Sequence, residues 1–243
     1  MFFLAISHGR RTHCSAVSTR RQFSTVDLNK NDFKPILVSI EGSIGAGKTT
    51  LLNNLRKRRP DWKFIKEPVD LWSKIRNEND KSILEIFYED RRRWGYTFQS
   101  CVLLTRYEEI ESTIQAARAS SSGGAQIFLT ERCLDSDYHV FTKMLRASGN
   151  LDSIEIQLYE KLLHELKKTA TPLGAIVHVN TVPETCSKRI RQRGRIGESA
   201  ISVEYLKSLD SYQNSWIEKT SVPHLKTDLS DLTLVENFIS SLI

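Results

Sequence analysis

The feature that most constrains the fold of this chain is the segment EGSIGAGKTT at residues 41–50. Its residues Gly42, Gly47, Lys48 and Thr49 fill every fixed position of the pattern G-x-x-x-x-G-K-[ST], which forms a phosphate-binding loop between a strand and a helix. The apolar run ILVSI before it predicts a buried strand, and TTLLNNLRKR after it predicts a helix. The sequence therefore predicts an α/β fold that binds a nucleoside triphosphate.

In such a loop, backbone N–H groups turn toward the phosphates and the lysine reaches the outer phosphates. The Thr49 hydroxyl can hold Mg²⁺ beside them. We therefore expect ATP or another nucleoside triphosphate, with Mg²⁺, to be bound by Gly42, Ser43, Ile44, Gly45, Ala46, Gly47, Lys48, Thr49 and Thr50. The loop alone leaves open whether the chain is a switch, a motor or a phosphotransferase.

Strand-like and helix-like segments alternate along the rest of the chain, which indicates a parallel sheet covered by helices on both sides. The predicted strands are 36–41, 63–66, 126–131, 175–180 and 222–227. One predicted helix places Leu206, Leu209, Tyr212 and Trp216 on a single face. The segment RASSSGGA at 118–125 is typical of a surface loop, and no second folded domain is indicated.

Ligands of such sheets lie at the carboxyl ends of the strands, so the residues there are candidates for chemistry. Glu67 follows the second predicted strand, where a carboxylate can accept a proton from an attacking hydroxyl. Glu131 and Arg132 end the third, where a magnesium ligand and a phosphoryl-binding cation are needed. Taken alone, Glu67 is better explained as an ordinary surface carboxylate before a turn, and a surface ion pair is a plausible explanation of Glu131 and Arg132.

In the segment RIRQRGRIGE at 189–198, Arg191, Arg193 and Arg195 lie close together beside Gly194 and Gly197. Such a segment suits a lid that closes over phosphates and excludes water. A solvated basic helix end is the alternative interpretation.

The first 26 residues contain four arginines, several Ser and Thr, and no acidic residue. This composition predicts a mitochondrial transit peptide at 1–23, cleaved near Phe23, and a linker at 24–34 before a domain at 35–243. A disordered tail is the alternative. We therefore expect the protein to be located in the mitochondrial matrix.

Four of the 35 basic residues lie in this segment, and the remaining 31 nearly balance the 29 acidic ones. We therefore expect no nucleic-acid partner. We also expect no membrane span, because no apolar run approaches the ~18 residues that one needs. The four cysteines lack metal-binding spacing, which favours free thiols.

The order of phosphate loop, EPVDLW, ERC and arginine-rich segment resembles the deoxynucleoside kinase family, which includes deoxycytidine, deoxyguanosine and mitochondrial thymidine kinases. The similarity covers about residues 36–220. It implies a P-loop kinase fold with a five-stranded parallel sheet flanked by helices and an arginine-rich lid. It also implies a homodimer and phosphate transfer from a Mg²⁺–nucleoside triphosphate to the 5′-hydroxyl of a deoxyribonucleoside.

The resemblance implies roles for individual side chains. Glu67 matches the general base, Arg132 contacts the 5′-hydroxyl and the phosphates, and Lys48 completes the catalytic set. Glu131 joins Thr49 in the magnesium environment. Tyr88 and Glu198 match the residues that hold the sugar 3′-hydroxyl. In the substrate pocket, Trp72 matches the wall, Gln99 the residue that reads the base, and Phe141 the aromatic residue that stacks on it.

Base preference has its own sequence signal. Gln99, Val102 and Arg106 are spaced to share one helix face, and Asp137 matches the family position of an acid that pairs with such an arginine. A guanidinium can donate two hydrogen bonds to guanine O6 and N7. We therefore expect deoxyguanosine and deoxyadenosine as best substrates and deoxycytidine next. Val102 favours the alternative of a mitochondrial thymidine and deoxycytidine kinase.

The chain departs from the family pattern at Cys133, Gly197 and Tyr138, which affects the predicted lid and local packing more than the reaction. Three alternatives belong to other classes: a non-catalytic accessory subunit of a mitochondrial complex, a nucleoside monophosphate kinase and a GTPase-type switch. The complete set of predicted catalytic residues argues against the first. The one N-K-x-D match, NKND at 29–32, precedes the phosphate loop instead of following it as a guanine-reading motif does, which argues against the last.

Overall fold

The computed structural model describes residues 32–243. The predicted transit peptide at 1–23 and the predicted linker as far as residue 31 lie outside the described residues.

The centre of the molecule is a single sheet whose five strands all run parallel, in the order β2-β3-β1-β4-β5. The strands are β1 (Phe33–Glu41), β2 (Lys63–Ile65), β3 (Gly124–Glu131), β4 (Leu173–Val179) and β5 (His224–Thr227). This architecture confirms the predicted P-loop kinase fold class. All five strands were predicted, with ends displaced by up to three residues.

The central strand β1 pairs with β3 on one side and β4 on the other, which brings three strand ends to one level. Ile40 lies opposite Glu131 in β3 and opposite Val177 in β4. Ile40 and Val177 are fully buried, as expected for a parallel sheet covered on both faces. The end of β1, which leads into the phosphate loop, therefore lies beside the end of β3.

The helices are α1 (Lys48–Arg58), α2 (Val69–Lys74), α3 (Ile83–Glu89), α4 (Arg91–Ser120), α5 (Leu134–Ser136), α6 (Lys143–Ala147), α7 (Ser153–Lys167), α8 (Pro183–Arg193), α9 (Val203–Lys219) and α10 (Leu232–Ser240). A π-helical turn at Asp137–Thr142 joins α5 to α6, and a 3₁₀ turn spans Glu198–Ala200. Ser82 and Glu85 form a reciprocal capping box at the start of α3, which satisfies backbone donors that a helix start leaves free.

Two boundaries differ from the prediction for local reasons. The loop predicted at 118–125 is only three residues long, because α4 continues to Ser120 and β3 begins at Gly124. The fifth strand begins at His224 instead of 222. Pro223 has no N–H to donate to a ladder, although its carbonyl still accepts from the Ile176 N–H at 2.9 Å.

Within residues 32–243, no helix combines the length and the apolar character that crossing a bilayer requires.

Candidate active site

The phosphate loop has a backbone that only glycine adopts without strain. Gly42 has φ +139°, and a Cβ there would lie 2.5 Å from the Val179 carbonyl oxygen. Gly45, which the motif leaves unspecified, has φ +80°, and its Cβ would lie 2.6 Å from the Cys186 carbonyl oxygen. The loop is therefore packed directly against the end of β4 and against α8.

The side chains of the loop gather the groups that a triphosphate needs. Lys48 Nζ is buried and donates to the carbonyl oxygens of Gly42 at 3.2 Å and Ser43 at 2.9 Å. It lies 3.6 Å from Glu131 Oε1, and Thr49 Oγ1 donates to Glu131 Oε2 at 2.8 Å. The first turn of α1 and the end of β3 thus present one ammonium and two oxygen ligands side by side.

A cavity opens beside this loop, and it collects the predicted substrate residues. All ten of them line it: Glu67, Trp72, Tyr88, Gln99, Val102, Arg106, Arg132, Asp137, Phe141 and Glu198. Lys48, Ile44, Gly45, Glu131, Arg193 and Arg195 line it as well. Six separate segments of sequence therefore converge on one site.

Arg106 is the central cation of this cavity and is almost completely buried. Its Nε donates to Asp137 Oδ2 at 2.8 Å, and its Nη1 donates to the Glu131 carbonyl oxygen at 2.7 Å. Its Nη2 donates to Glu67 Oε1 at 3.1 Å. One guanidinium thus holds the predicted base, the predicted base-selecting acid and the end of β3 in a fixed arrangement.

Arg132 is the second cation beside Glu67. Its Nε lies 4.0 Å from Glu67 Oε1, and its guanidinium carbon lies 4.6 Å from the centre of the Phe141 ring. Its backbone has φ +68°, a left-handed conformation that costs energy for a long side chain. The chain turns sharply here, which directs the side chain into the cavity.

The charges around the cavity shift the pKa values of two predicted catalytic groups. Burial acts to raise the pKa of Glu67, but Arg106, Arg132 and Lys48 oppose it and bring the pKa below its ordinary value. Glu67 is therefore an ionised carboxylate at neutral pH. Burial, with Arg132, lowers the pKa of Lys48 to about 8.

Aromatic rings and one buried amide form the deep wall of the cavity. The Trp72 and Phe98 rings meet edge to face at 5.7 Å, and Trp72 Nε1 donates to Thr105 Oγ1 at 3.0 Å. Gln99 is buried beside them, and no described residue donates to its Oε1. A buried amide oxygen without a partner is rare, so this atom is ready for a ligand donor.

The arginine-rich segment lies over the other side of the cavity. Glu198 is buried and accepts from Arg193 Nη2 at 2.6 Å and from Arg195 Nη1 at 3.0 Å. Arg191, also predicted to bind ATP, is exposed on α8 and is not among the residues that line the cavity. Gly197 has φ +87°, and a Cβ there would lie 3.1 Å from Glu85 Cα, so the departure from the family pattern fits a close contact with α3.

Sequence reasoning missed Arg189, whose Nη1 donates to the Ala46 carbonyl oxygen at 2.8 Å. It lies in the same basic segment as the predicted arginines, two residues earlier, on the face of α8 that meets the phosphate loop. It also missed three apolar residues of the lining, Val69, Leu84 and Phe98. Their spacing is that of ordinary core residues, so no sequence signal distinguishes them.

The sequence model for "Deoxynucleoside kinase" matches residues 38–242 of the chain. The chain is 33% identical over 200 residues to deoxycytidine kinase 2 of Gallus gallus, covering 75% of this chain and 74% of the relative. It is 29% identical over 196 residues to the mitochondrial deoxyguanosine kinase of Xenopus laevis, covering 75% and 73%. It is 29% identical over 197 residues to the mitochondrial thymidine kinase 2 of Macaca fascicularis, covering 81% and 69%.

Proposed function

The chain belongs to the deoxynucleoside kinase family and is a deoxynucleoside kinase, and from this premise we propose that it transfers the γ-phosphoryl group of ATP to the 5′-hydroxyl of purine deoxyribonucleosides. The observation that carries the proposal is the convergence of Lys48, Glu67 and the Arg106–Asp137 pair on one cavity. Lys48 can bind phosphate, Glu67 can act as the general base, and the Arg106–Asp137 pair can recognise the nucleobase of the same bound substrate.

Glu67 accepts the proton of the 5′-hydroxyl in this proposal. A general base must be ionised before it accepts a proton, and the low pKa of Glu67 meets that condition. Arg132 and Lys48 stabilise the charge that develops on the transferring group, because cations in a buried site act more strongly than in water. Positioning and electrostatics dominate such transfers.

Mg²⁺ is held by Thr49 and Glu131 in this proposal, and the oxygens present fit it. The Thr49 hydroxyl and the Glu131 carboxylate are oxygen donors of the kind that Mg²⁺ prefers, and they lie 2.8 Å apart, so both would be able to hold the ion. A site with only one or two protein ligands is typical of Mg²⁺ bound together with substrate phosphates. When bound, the ion neutralises charge on the phosphate oxygens.

In this proposal the arginine-rich segment acts as a lid over the phosphates. Arg193 and Arg195 contact the phosphates, and Arg191 contacts them from the surface of α8. Glu198 supports this proposal because it holds the first two arginines at the rim of the cavity. Its carboxylate can accept further hydrogen bonds, so it also receives the sugar 3′-hydroxyl together with Tyr88.

The nucleobase lies between Phe141 and the Trp72 wall in this proposal, and the Gln99 amide, whose Oε1 has no partner among the described residues, reads its edge. Arg106 already donates three hydrogen bonds, and two of its five donor hydrogens remain. Those two match the O6 and N7 acceptors of guanine. This match supports deoxyguanosine. The proposal extends to deoxyadenosine, whose N7 can accept one such bond, with deoxycytidine next.

The combined change Arg106→Met with Asp137→Ala is expected to raise the kcat/KM ratio of thymidine over deoxyguanosine by about 10-fold or more, because it removes purine-directed donors and opens room for the 5-methyl group. Arg106 also holds Glu67, so turnover falls with every substrate, and the ratio isolates selectivity. Steady-state kinetics with both nucleosides measures it, and Arg118→Met, on the exposed end of α4, is the matched control.

An unchanged ratio in the double variant would refute this assignment of the base pocket. Wild-type enzyme that prefers thymidine to deoxyguanosine would instead support the second candidate, a mitochondrial thymidine and deoxycytidine kinase. The small Val102 side chain in the cavity wall favours that candidate.

The reaction itself is tested by a coupled ATP assay with a panel of deoxyribonucleosides, ribonucleosides and monophosphates. We expect turnover only with nucleosides, and lower kcat/KM for guanosine than for deoxyguanosine. Tyr88 and Glu198 flank the sugar in this proposal and leave little room for a 2′-hydroxyl. Equal kcat/KM for the two nucleosides, or preference for a monophosphate, would contradict the proposal.

The protein acts in the mitochondrial matrix in this proposal. The composition of residues 1–23 supports it, as do two relatives whose names include the word mitochondrial. N-terminal sequencing of protein from its native cells is expected to begin near Ser24. A mature protein that retains Met1 would exclude processing of this segment.

We also propose a homodimer. Three large apolar side chains are exposed on α4 and α7, namely Leu104, Ile154 and Leu158. A second copy of the chain can bury them. We expect light scattering of the purified protein to give a molar mass twice that of the monomer.

A further inference from the structure

Glu41, the last residue of β1, is a carboxylate with no exposed surface. It does not line the cavity. A charge in the core is costly unless it is paired. One oxygen, Oε1, accepts from Ser39 Oγ at 2.5 Å, which fixes the direction of the side chain.

The other oxygen faces Arg132. Glu41 Oε2 lies 3.7 Å from Arg132 Nη1, beyond hydrogen-bonding distance but close enough for strong attraction in a buried site. Among residues 32–243, neither atom has a hydrogen-bond partner. A buried carboxylate oxygen and a buried guanidinium nitrogen therefore face each other.

Burial raises the pKa of Glu41, and Arg132 is the strongest influence opposing the rise. Arg132 is thus the group that most favours an ionised Glu41 carboxylate, and the guanidinium has Glu41 on one side and Glu67 on the other.

The backbone of Arg132 is also held firmly. Its N–H donates to the Ile40 carbonyl oxygen at 3.2 Å, and its carbonyl oxygen accepts from Thr130 Oγ1 at 3.0 Å. These bonds hold the left-handed φ of +68°, but they do not fix the end of a long side chain. The Phe141 ring supports one face of the guanidinium, and Glu41 faces it from within the core.

We propose that Glu41 is a positioning residue that holds the Arg132 guanidinium from the core side and keeps it directed at Glu67 and the transferring phosphoryl group. The inference rests on the proposed function, in which Arg132 stabilises the charge of that group. Glu41 does not line the cavity, and Arg132 is the cation that acts on it most strongly, so its main effect on turnover is expected to pass through Arg132.

Glu41→Gln tests this, because Gln keeps the size and the acceptor for Ser39 but removes the charge. We expect kcat to fall about 10-fold, since displacement of a catalytic group by a fraction of an ångström is costly, while KM for deoxyguanosine changes little. Glu236→Gln is the matched control: this carboxylate is also mostly buried, and it pairs with Arg58 at 2.8 Å in a part of the molecule that does not line the cavity.

The decisive measurement is a double-mutant cycle with Arg132→Gln. If Glu41 acts through Arg132, the double variant has the kcat of Arg132→Gln alone, because effects of residues that act as one unit do not multiply. Losses that multiply, or a Glu41→Gln variant with wild-type kcat, would overturn the inference. If Glu41→Gln does not fold, Ser39→Ala releases the same carboxylate, and its loss of kcat must likewise vanish in the Arg132→Gln background.

The two proposals fail in different ways. A wild-type enzyme that phosphorylates no purine deoxyribonucleoside contradicts the proposed function itself. An active wild type that loses turnover in Arg132→Gln, but in which Glu41→Gln acts independently, contradicts only the role of Glu41.

Discussion

Replacement of Glu67 with Gln is expected to lower kcat by about 100-fold or more, with KM for both substrates changed far less. Gln keeps the shape of the side chain and can still accept from Arg106 Nη2 through its amide oxygen, so the geometry of the cavity persists. It cannot take a proton from the 5′-hydroxyl, and loss of a general base costs about 10²–10⁴-fold. Steady-state kinetics with deoxyguanosine and ATP measures the effect.

The matched control is Glu78→Gln, the same chemical change at an exposed position, which is expected to leave kcat unchanged. A Glu67→Gln enzyme with nearly wild-type kcat would show that another group, or water, accepts the proton.

Replacement of Lys48 with Ala is expected to lower kcat/KM for ATP by about 100-fold or more, because it removes a buried cation from the phosphate site. The ammonium also donates to the carbonyl oxygens of Gly42 and Ser43, so the loop loses an internal contact as well. Kinetics at saturating nucleoside, together with a thermal melt, separates the loss of catalysis from a loss of folding.

Lys57→Ala, an exposed lysine on the same helix α1, is the control and is expected to behave like the wild type. A folded Lys48→Ala variant with ATP kinetics within about tenfold of the wild type would argue against its phosphate role.

Much of this arrangement could be predicted from the sequence because it depends on local patterns. The glycine pattern at 41–50 fixed the loop, and apolar runs bounded by turns located all five strands. The spacing of Gln99, Val102 and Arg106 predicted a shared helix face, and all three are buried in the cavity wall. A solvated helix face would have the same spacing, and the burial of all three side chains excludes it.

Contacts between segments that are distant in the sequence could not be predicted from sequence patterns. Arg106 and Glu67 are 39 positions apart and lie on different elements, so no spacing rule pairs them. The role of Gly45 depends on the approach of Cys186 from α8, which only the folded chain defines. Glu41 resembles any residue that ends a buried strand, and its importance appears only with the left-handed turn at Arg132.

The three-way bridge at Arg106 has an implication for directed evolution of this enzyme. One guanidinium contacts the proposed base-selecting acid and also supports the proposed proton acceptor. Laboratory lineages that alter nucleobase choice through this residue will therefore incur a trade-off with turnover. Compensating substitutions are expected near Glu67, and libraries that vary both neighbourhoods together should outperform stepwise screening.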